Sequence, residues 1–214
     1  MSFEKEGYAV FKGAISKDVC KVMACEFKIA RQLAYAAQHP TKDNMFPFKD
    51  EMVDRSFSWY SPLCFEALSD SLIKDIVEKE LGEPVFPTYS YARIYSHNAE
   101  MKRHTDRSSS EFSVSVCIEI DENSSPWPIY FEDRHGDVLE MAQEPGDAVM
   151  YRGNELAHWR EPYHGNEQIN AFMFYVCANG PRAELKYDTR PMLGLHSSTR
   201  RLTSERQWEI YNTK

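Results

Sequence analysis

The alternation of apolar and polar positions changes character near residue 83. Before it, Tyr8–Phe11 predicts a short strand. Ser16 predicts an N-cap for a helix from Lys17 to about Gln38, stopped by His39-Pro40. Within that helix Val19, Val22, Met23, Phe27 and Ala30 recur at helical spacing. Residues 40–61 are polar, aromatic and aperiodic, which predicts a long surface loop or a lid. A second helical pattern carries Leu63, Phe65, Leu68, Leu72, Ile76, Val77 and Leu81, and Gly82 ends it.

From Pro84 onward the chain predicts strands at Val85–Tyr95, Phe112–Ile120, Trp127–Glu132, Val138–Ala142, Ala148–Tyr151 and Ile169–Cys177, with turn clusters between them. Helices followed by strands predict an α+β domain in which helices buttress a β-sandwich or barrel. We expect one domain over residues 1–214: a helical buttress at about 1–83, a core at about 84–178 and a tail at 179–214. Strand Phe112–Ile120 puts Phe112, Val114, Val116, Ile118 and Ile120 on one face and Ser113, Ser115, Cys117 and Glu119 on the other. The small polar face is either solvated or turned inward to line a wet site.

Composition narrows the partners. The chain has 214 residues, 42% hydrophobic and 27% charged, which is a globular balance. A net charge of -8 argues against general nucleic-acid binding. Five cysteines without a C-x-x-C pair predict reduced thiols rather than a disulfide framework. The acidic opening MSFEKEGYAVFKGAIS is unlike a signal peptide, and no apolar run is long enough for a bilayer. These features predict a cytoplasmic protein with no membrane association.

Two histidines and one carboxylate on one side of a metal leave three positions open, the arrangement a mononuclear iron oxygenase needs. His-x-Asp on extended chain supplies two such ligands, because residues i and i+2 share a face. Such a triplet arises about once by chance in a chain of this composition. This chain has two, His104-Thr105-Asp106 and His135-Gly136-Asp137. His104 lies between two strong strands, whereas His135 falls in a charged hairpin tip. His158, 54 residues beyond His104, follows a turn and strand and is the expected third ligand. His164, His97, His39 and His196 read as turn or loop residues.

The set Tyr95, His104-Thr105-Asp106-Arg107, Pro145-Gly-Asp-Ala-Val-Met-Tyr and His158 resembles the 2-oxoglutarate/Fe(II) dioxygenase superfamily, nearest to its prolyl-4-hydroxylase-like branch, over roughly residues 85–178. The resemblance implies a double-stranded β-helix, a jelly-roll or cupin-like barrel with Fe(II) held at its open end by His104, Asp106 and His158. It also implies 2-oxoglutarate and O2 as cosubstrates, hydroxylation of an unactivated C–H bond, and release of succinate and CO2. The substrate would be a small molecule or a peptide, peptidyl proline or an amino-acid-like molecule by analogy.

One position departs from the family. Gln168 and Asn170 stand where an Arg or Lys usually pairs with the far carboxylate of 2-oxoglutarate. A buried carboxylate needs a cation, and Arg160, then Arg93, then Lys102 are the candidates, with Tyr95 as a hydrogen-bonding partner. The strip Tyr89, Tyr91, Arg93 and Tyr95 either lines the pocket or packs under the helices. Trp127 and Trp159 read as core residues. Arg107 is expected to pair with Glu111 or to meet a substrate carboxylate. The missing cation also leaves open a cupin-like metalloenzyme that does not use 2-oxoglutarate, and a non-catalytic β-barrel binding module is the third reading.

Overall fold

The computed structural model describes residues 3–36, 52–59, 64–133 and 135–194. Helix α1 (Phe3–Glu6) leads into β1 (Tyr8–Phe11) and the long helix α2 (Lys17–Ala36). Strand β2 (Ser56–Trp59) precedes two short helices, α3 (Cys64–Ser69) and α4 (Leu72–Leu81). The rest is β3 (Val85–Ser96), β4 (Met101–His104), β5 (Phe112–Ile120), β6 (Ile129–Glu132), β7 (Val138–Met141), β8 (Ala148–Tyr151), β9 (His158–Arg160) and β10 (Glu167–Cys177), then a 3-10 segment, Ala183–Thr189.

The strands form two antiparallel sheets, β1-β8-β5-β10-β3-β2 and β4-β9-β6-β7. Among the described residues no strand belongs to both, so the wall is a pair of facing sheets and not a closed barrel. The six-stranded sheet is covered on both faces. Its outer face, with Phe112, Val114, Val116 and Ile118, packs with Met23 and Phe27 of α2. Its inner face meets Ile129 and Phe131 of the smaller sheet. Ser113, Ser115 and Cys117 are therefore turned inward and fully buried, which decides between the two readings of β5.

Helix α2 begins where Ser16 Oγ accepts the Val19 amide at 3.3 Å, as the capping residue predicted. Its buried face differs from the expected one. Cys20, Met23, Ala24, Phe27, Ala30 and Ala34 point to the sheet, while Val19 and Val22 are exposed. Small residues on that face let the helix lie close to β5. The second helical run breaks at Asp70-Ser71, where Ser71 Oγ donates back to the Ala67 carbonyl at 2.8 Å. Gly82 ends α4 in the left-handed region (φ 72°) with its amide on Glu78 O. The expected end of α2 at Gln38 and most of the predicted 40–61 loop lie outside the described residues, and β2 occupies part of the remainder. No helix of the described residues is long and apolar enough to cross a membrane.

Candidate metal centre and its cavity

Pairing of β4 with β9 sets His104 directly opposite His158. Both strands are too short for periodicity to reveal, four and three residues. Asp106 follows two residues after His104, held by its amide on the Gly153 carbonyl at 2.8 Å. The ligand atoms of His104, Asp106 and His158 all lie within 4.8 Å of one another. Asp106 Oδ1 is 3.6 Å from His104 Nε2 and 3.6 Å from His158 Nε2.

Each imidazole is oriented by its own backbone. His104 Nδ1 donates to the Lys102 carbonyl at 2.7 Å, and His158 Nδ1 to the Leu156 carbonyl at 3.0 Å. A carbonyl only accepts, so the proton stays on Nδ1 and the Nε2 lone pair faces Asp106. Burial lowers the pKa of His158, which keeps it neutral. Burial works against ionisation of Asp106, but the positive charge the neighbouring histidines carry when protonated, at the acid pH where a carboxyl titrates, and a 2.7 Å hydrogen bond from Ser113 Oγ outweigh it, and its carboxyl stays below the usual range. With both rings deprotonated at Nε2, the pocket offers two nitrogen lone pairs and one anionic oxygen.

A cavity of about 230 Å³ opens from this triad between the sheets. Tyr89, Tyr91, Arg93 and Tyr95 line it from β3, so the strip faces the pocket and not the helices. Phe172 and Phe174 of β10 complete the wall, with Tyr89 stacked on Phe174 at 4.2 Å and Tyr91 on Phe172 at 5.0 Å. Tyr151 stands edge-on to His158 at 4.8 Å. A larger groove of about 460 Å³ runs past Pro126, Tyr130 and His164 and shares no lining residue with the triad's cavity.

The candidate cations separate clearly. Lys102 is exposed on β4 and, like Arg160, is not among the residues that line the cavity. Arg93 is buried, lines the cavity and donates to Ser56 Oγ at 3.3 Å. Arg160 is 1% exposed and lies over the Trp127 ring at 4.9 Å and the Tyr95 ring at 6.0 Å. Its Nη1 donates to the Trp127 carbonyl, while Nε and Nη2 have no hydrogen-bond partner among the described residues. Gln168 and Asn170 are occupied with each other. Gln168 accepts the Trp127 amide at 2.9 Å and donates to Asn170 Oδ1 at 2.8 Å.

Arg107 does not pair with Glu111, and its half-exposed side chain lines the cavity. It forms a two-point bridge to buried Asp188 at 2.8 and 2.9 Å, from a segment 81 residues away, and stacks over Tyr89. Glu111 instead takes Arg182 and the Cys177 amide. His135 lies at the β6–β7 turn, beside Gly136 with its φ of 86°, far from the ligand cluster. His97 and His164 stay outside the cluster too, and His39 and His196 lie outside the described residues. Trp127 is core, as expected, and Trp159 packs on Tyr130 between the inward His158 and Arg160. The sequence reading overlooked Ser113, Gly153, Tyr151, Phe172 and Phe174. Only Ser113 carried a signal, its place on the polar face of β5.

No protein-family model and no curated protein matches the sequence. Solved structures do. HygX from Streptomyces hygroscopicus, with nickel, 2-oxoglutarate and hygromycin B bound, superposes with a TM-score of 0.62 at 10% identity, covering 83% of this chain and 85% of that one. A Pseudomonas putida prolyl-4-hydroxylase does so with a TM-score of 0.58 at 14% identity, over 81% and 94%. The chain has the fold of the 2-oxoglutarate-dependent oxygenases. A Trichoplax adhaerens prolyl hydroxylase, in complex with a hypoxia inducible factor oxygen degradation domain peptide fragment, shares it with a TM-score of 0.60 at 10% identity, over 82% and 86%. The double-stranded β-helix expected from the motifs is therefore present, built here as two facing sheets.

Proposed function

We propose that the protein is a non-haem Fe(II)- and 2-oxoglutarate-dependent dioxygenase that hydroxylates an unactivated C–H bond of a small molecule or peptide, releasing succinate and CO2. The observation that carries this reading is Asp106 Oδ1 standing 3.6 Å from both metal-facing histidine nitrogens. Two neutral imidazoles and one carboxylate on one side suit Fe(II) and leave open positions opposite. When bound, the iron supplies the O2 activation that no side chain can perform.

The chain's own residues hold, orient and enclose. His104 and His158 present their lone pairs through fixed tautomers, and Asp106 contributes the negative charge. Phe172, Phe174, Tyr89 and Tyr91 keep water from the cavity walls. Arg160 is our first choice for the far carboxylate of 2-oxoglutarate, with Arg93 second and Tyr95 beside Arg160. A buried guanidinium with two empty donors carries a desolvation cost of several kcal/mol, roughly, and an anion offsets it. On this reading the cation has moved from β10 to β9, and the amide pair Gln168–Asn170 fills the place it left. The small cavity suits an amino-acid-like molecule or one prolyl residue, the latter by analogy with the prolyl hydroxylases of this fold.

A cupin-like metalloenzyme without 2-oxoglutarate is favoured by one observation, the neutral amide pair where the resemblance leads one to expect a cation. Anaerobic titration of the Fe(II) protein with 2-oxoglutarate separates the two. A weak visible metal-to-ligand band is expected, absent in His104→Ala and Asp106→Ala. Iron binding without a band would transfer the assignment to the cupin-like reading; no metal binding at all would leave a binding module.

A further inference from the structure

The two oxygens of Asp106 have different surroundings. Oδ1 faces both histidine nitrogens, whereas Oδ2 accepts the Ser113 hydroxyl at 2.7 Å. Ser113 is fully buried, and among the described residues its one hydroxyl proton has the Ser110 carbonyl, at 3.4 Å, as the other acceptor in reach. Gly153 closes the arrangement from the other side. Its carbonyl takes the Asp106 amide, and a Cβ on it would overlap Ser113 Oγ and Asp106 Oδ2 and come within 2.8 Å of the Ser110 carbonyl. Its backbone is not in the left-handed region, so glycine is required there for space and not for conformation.

We infer that Ser113 and Gly153 form a cradle that makes Asp106 a one-oxygen metal ligand. With Oδ2 committed to Ser113, only Oδ1 reaches the metal, and the position that a second carboxylate oxygen would occupy stays open. Ser113 and Gly153 are thus positioning residues for the metal centre, acting through Asp106. This rests on the reading of His104, Asp106 and His158 as a metal site.

The test uses the full chain, metal-free, with Co(II) as probe, measuring affinity by chelator competition and the visible cobalt band. Ser113→Ala should bind about 10-fold and Gly153→Ala about 100-fold more weakly than wild type. The Ser113→Ala band should shift, since the freed oxygen can close on the metal, and Ser113→Thr should restore the wild-type band. The double variant should be no weaker than Gly153→Ala alone, because the two residues act on one carboxylate. Wild-type affinity and an unshifted band in Ser113→Ala would overturn the cradle while leaving the metal site intact. Wild type that binds no Co(II) would remove the metal site and the cradle together. Should Gly153→Ala fail to fold, by its metal-free circular dichroism, the Ser113 variants decide alone.

Discussion

Arg160 stands two residues beyond His158 on β9, and the two side chains are buried on the same face of the strand. A proposed metal ligand and a cation with no carboxylate partner among the described residues are thereby delivered by one three-residue strand. Trp159 between them faces outward, as the period of two requires.

Replacing Arg160 by Met should separate binding from folding. The charge has no carboxylate partner among the described residues, so its loss should leave the metal-free protein as stable as wild type or more stable by about 1 kcal/mol. Affinity for 2-oxoglutarate should fall by about 10- to 100-fold, the loss of one or two charged hydrogen bonds. Thermal melting and anaerobic 2-oxoglutarate titration check the two halves. Lower stability with unchanged cosubstrate affinity would hand the anchoring role to Arg93.

The segment after β10 is held under backbone strain. Tyr187, Asp188 and Thr189 have φ of 53°, 55° and 62°, conformations that L residues other than Asn and Asp seldom take. Thr189 is exposed and β-branched, a residue type for which this conformation is a genuine outlier. Thr189→Gly should stabilise the protein by about 0.5–1 kcal/mol, read from the urea midpoint. No gain would mean that chain entropy regained by the unfolded glycine cancels the relief.

Arg190 ties the same segment to the helices. Its guanidinium meets Glu66 at 2.8 Å and the Thr88 carbonyl at 2.7 Å, with both partners of the ion pair almost fully buried. Glu66→Ala should cost about 3–5 kcal/mol, since it strands a charge in a dry interior. Glu66→Gln, which keeps an acceptor, should cost less. Equal midpoints for the two variants would refute the electrostatic account.

Asp147 gives the fold a defined acid sensitivity. Burial raises its pKa, but Lys12 at 2.7 Å and the amides of Gly13 and Glu144 at 3.1 Å lower it further, for a net depression. A depressed carboxyl stabilises above its unfolded pKa of 3.8, and that contribution is lost as pH falls through the lower folded value. Asp147→Asn should therefore be less stable than wild type at pH 7, and the gap should close as pH falls below 3.8 and through the lower folded value. A gap of constant size across that range would exclude the charge as its source.

The sheet core was legible in the sequence because its strands are long. Alternation gave β5 residue for residue, and β3 and β10 to within two residues, since nine or more positions leave a clear period. Strands β4 and β9, which carry both histidines, are too short to show one. His104-Thr105-Asp106 was separated from His135-Gly136-Asp137 only by the company each keeps. Arg107 was assigned to a near neighbour, whereas its partner Asp188 lies 81 residues on, a contact that only tertiary packing creates. The inward turn of Ser113 was one of two open readings, because alternation tells that faces differ but not which one is covered.

Both imidazoles are steered by peptide carbonyls, those of Lys102 and Leu156, two residues ahead of each ring. Side-chain substitution cannot delete a peptide carbonyl. The setting of the two nitrogen donors is thus sheltered from mutational drift, whatever replaces Lys102 or Leu156. The carboxylate has no such shelter: one hydroxyl, Ser113, holds its second oxygen, and a single codon change removes it. In a lineage descending from this protein, the first loss of the centre should begin at β5, before either histidine has changed.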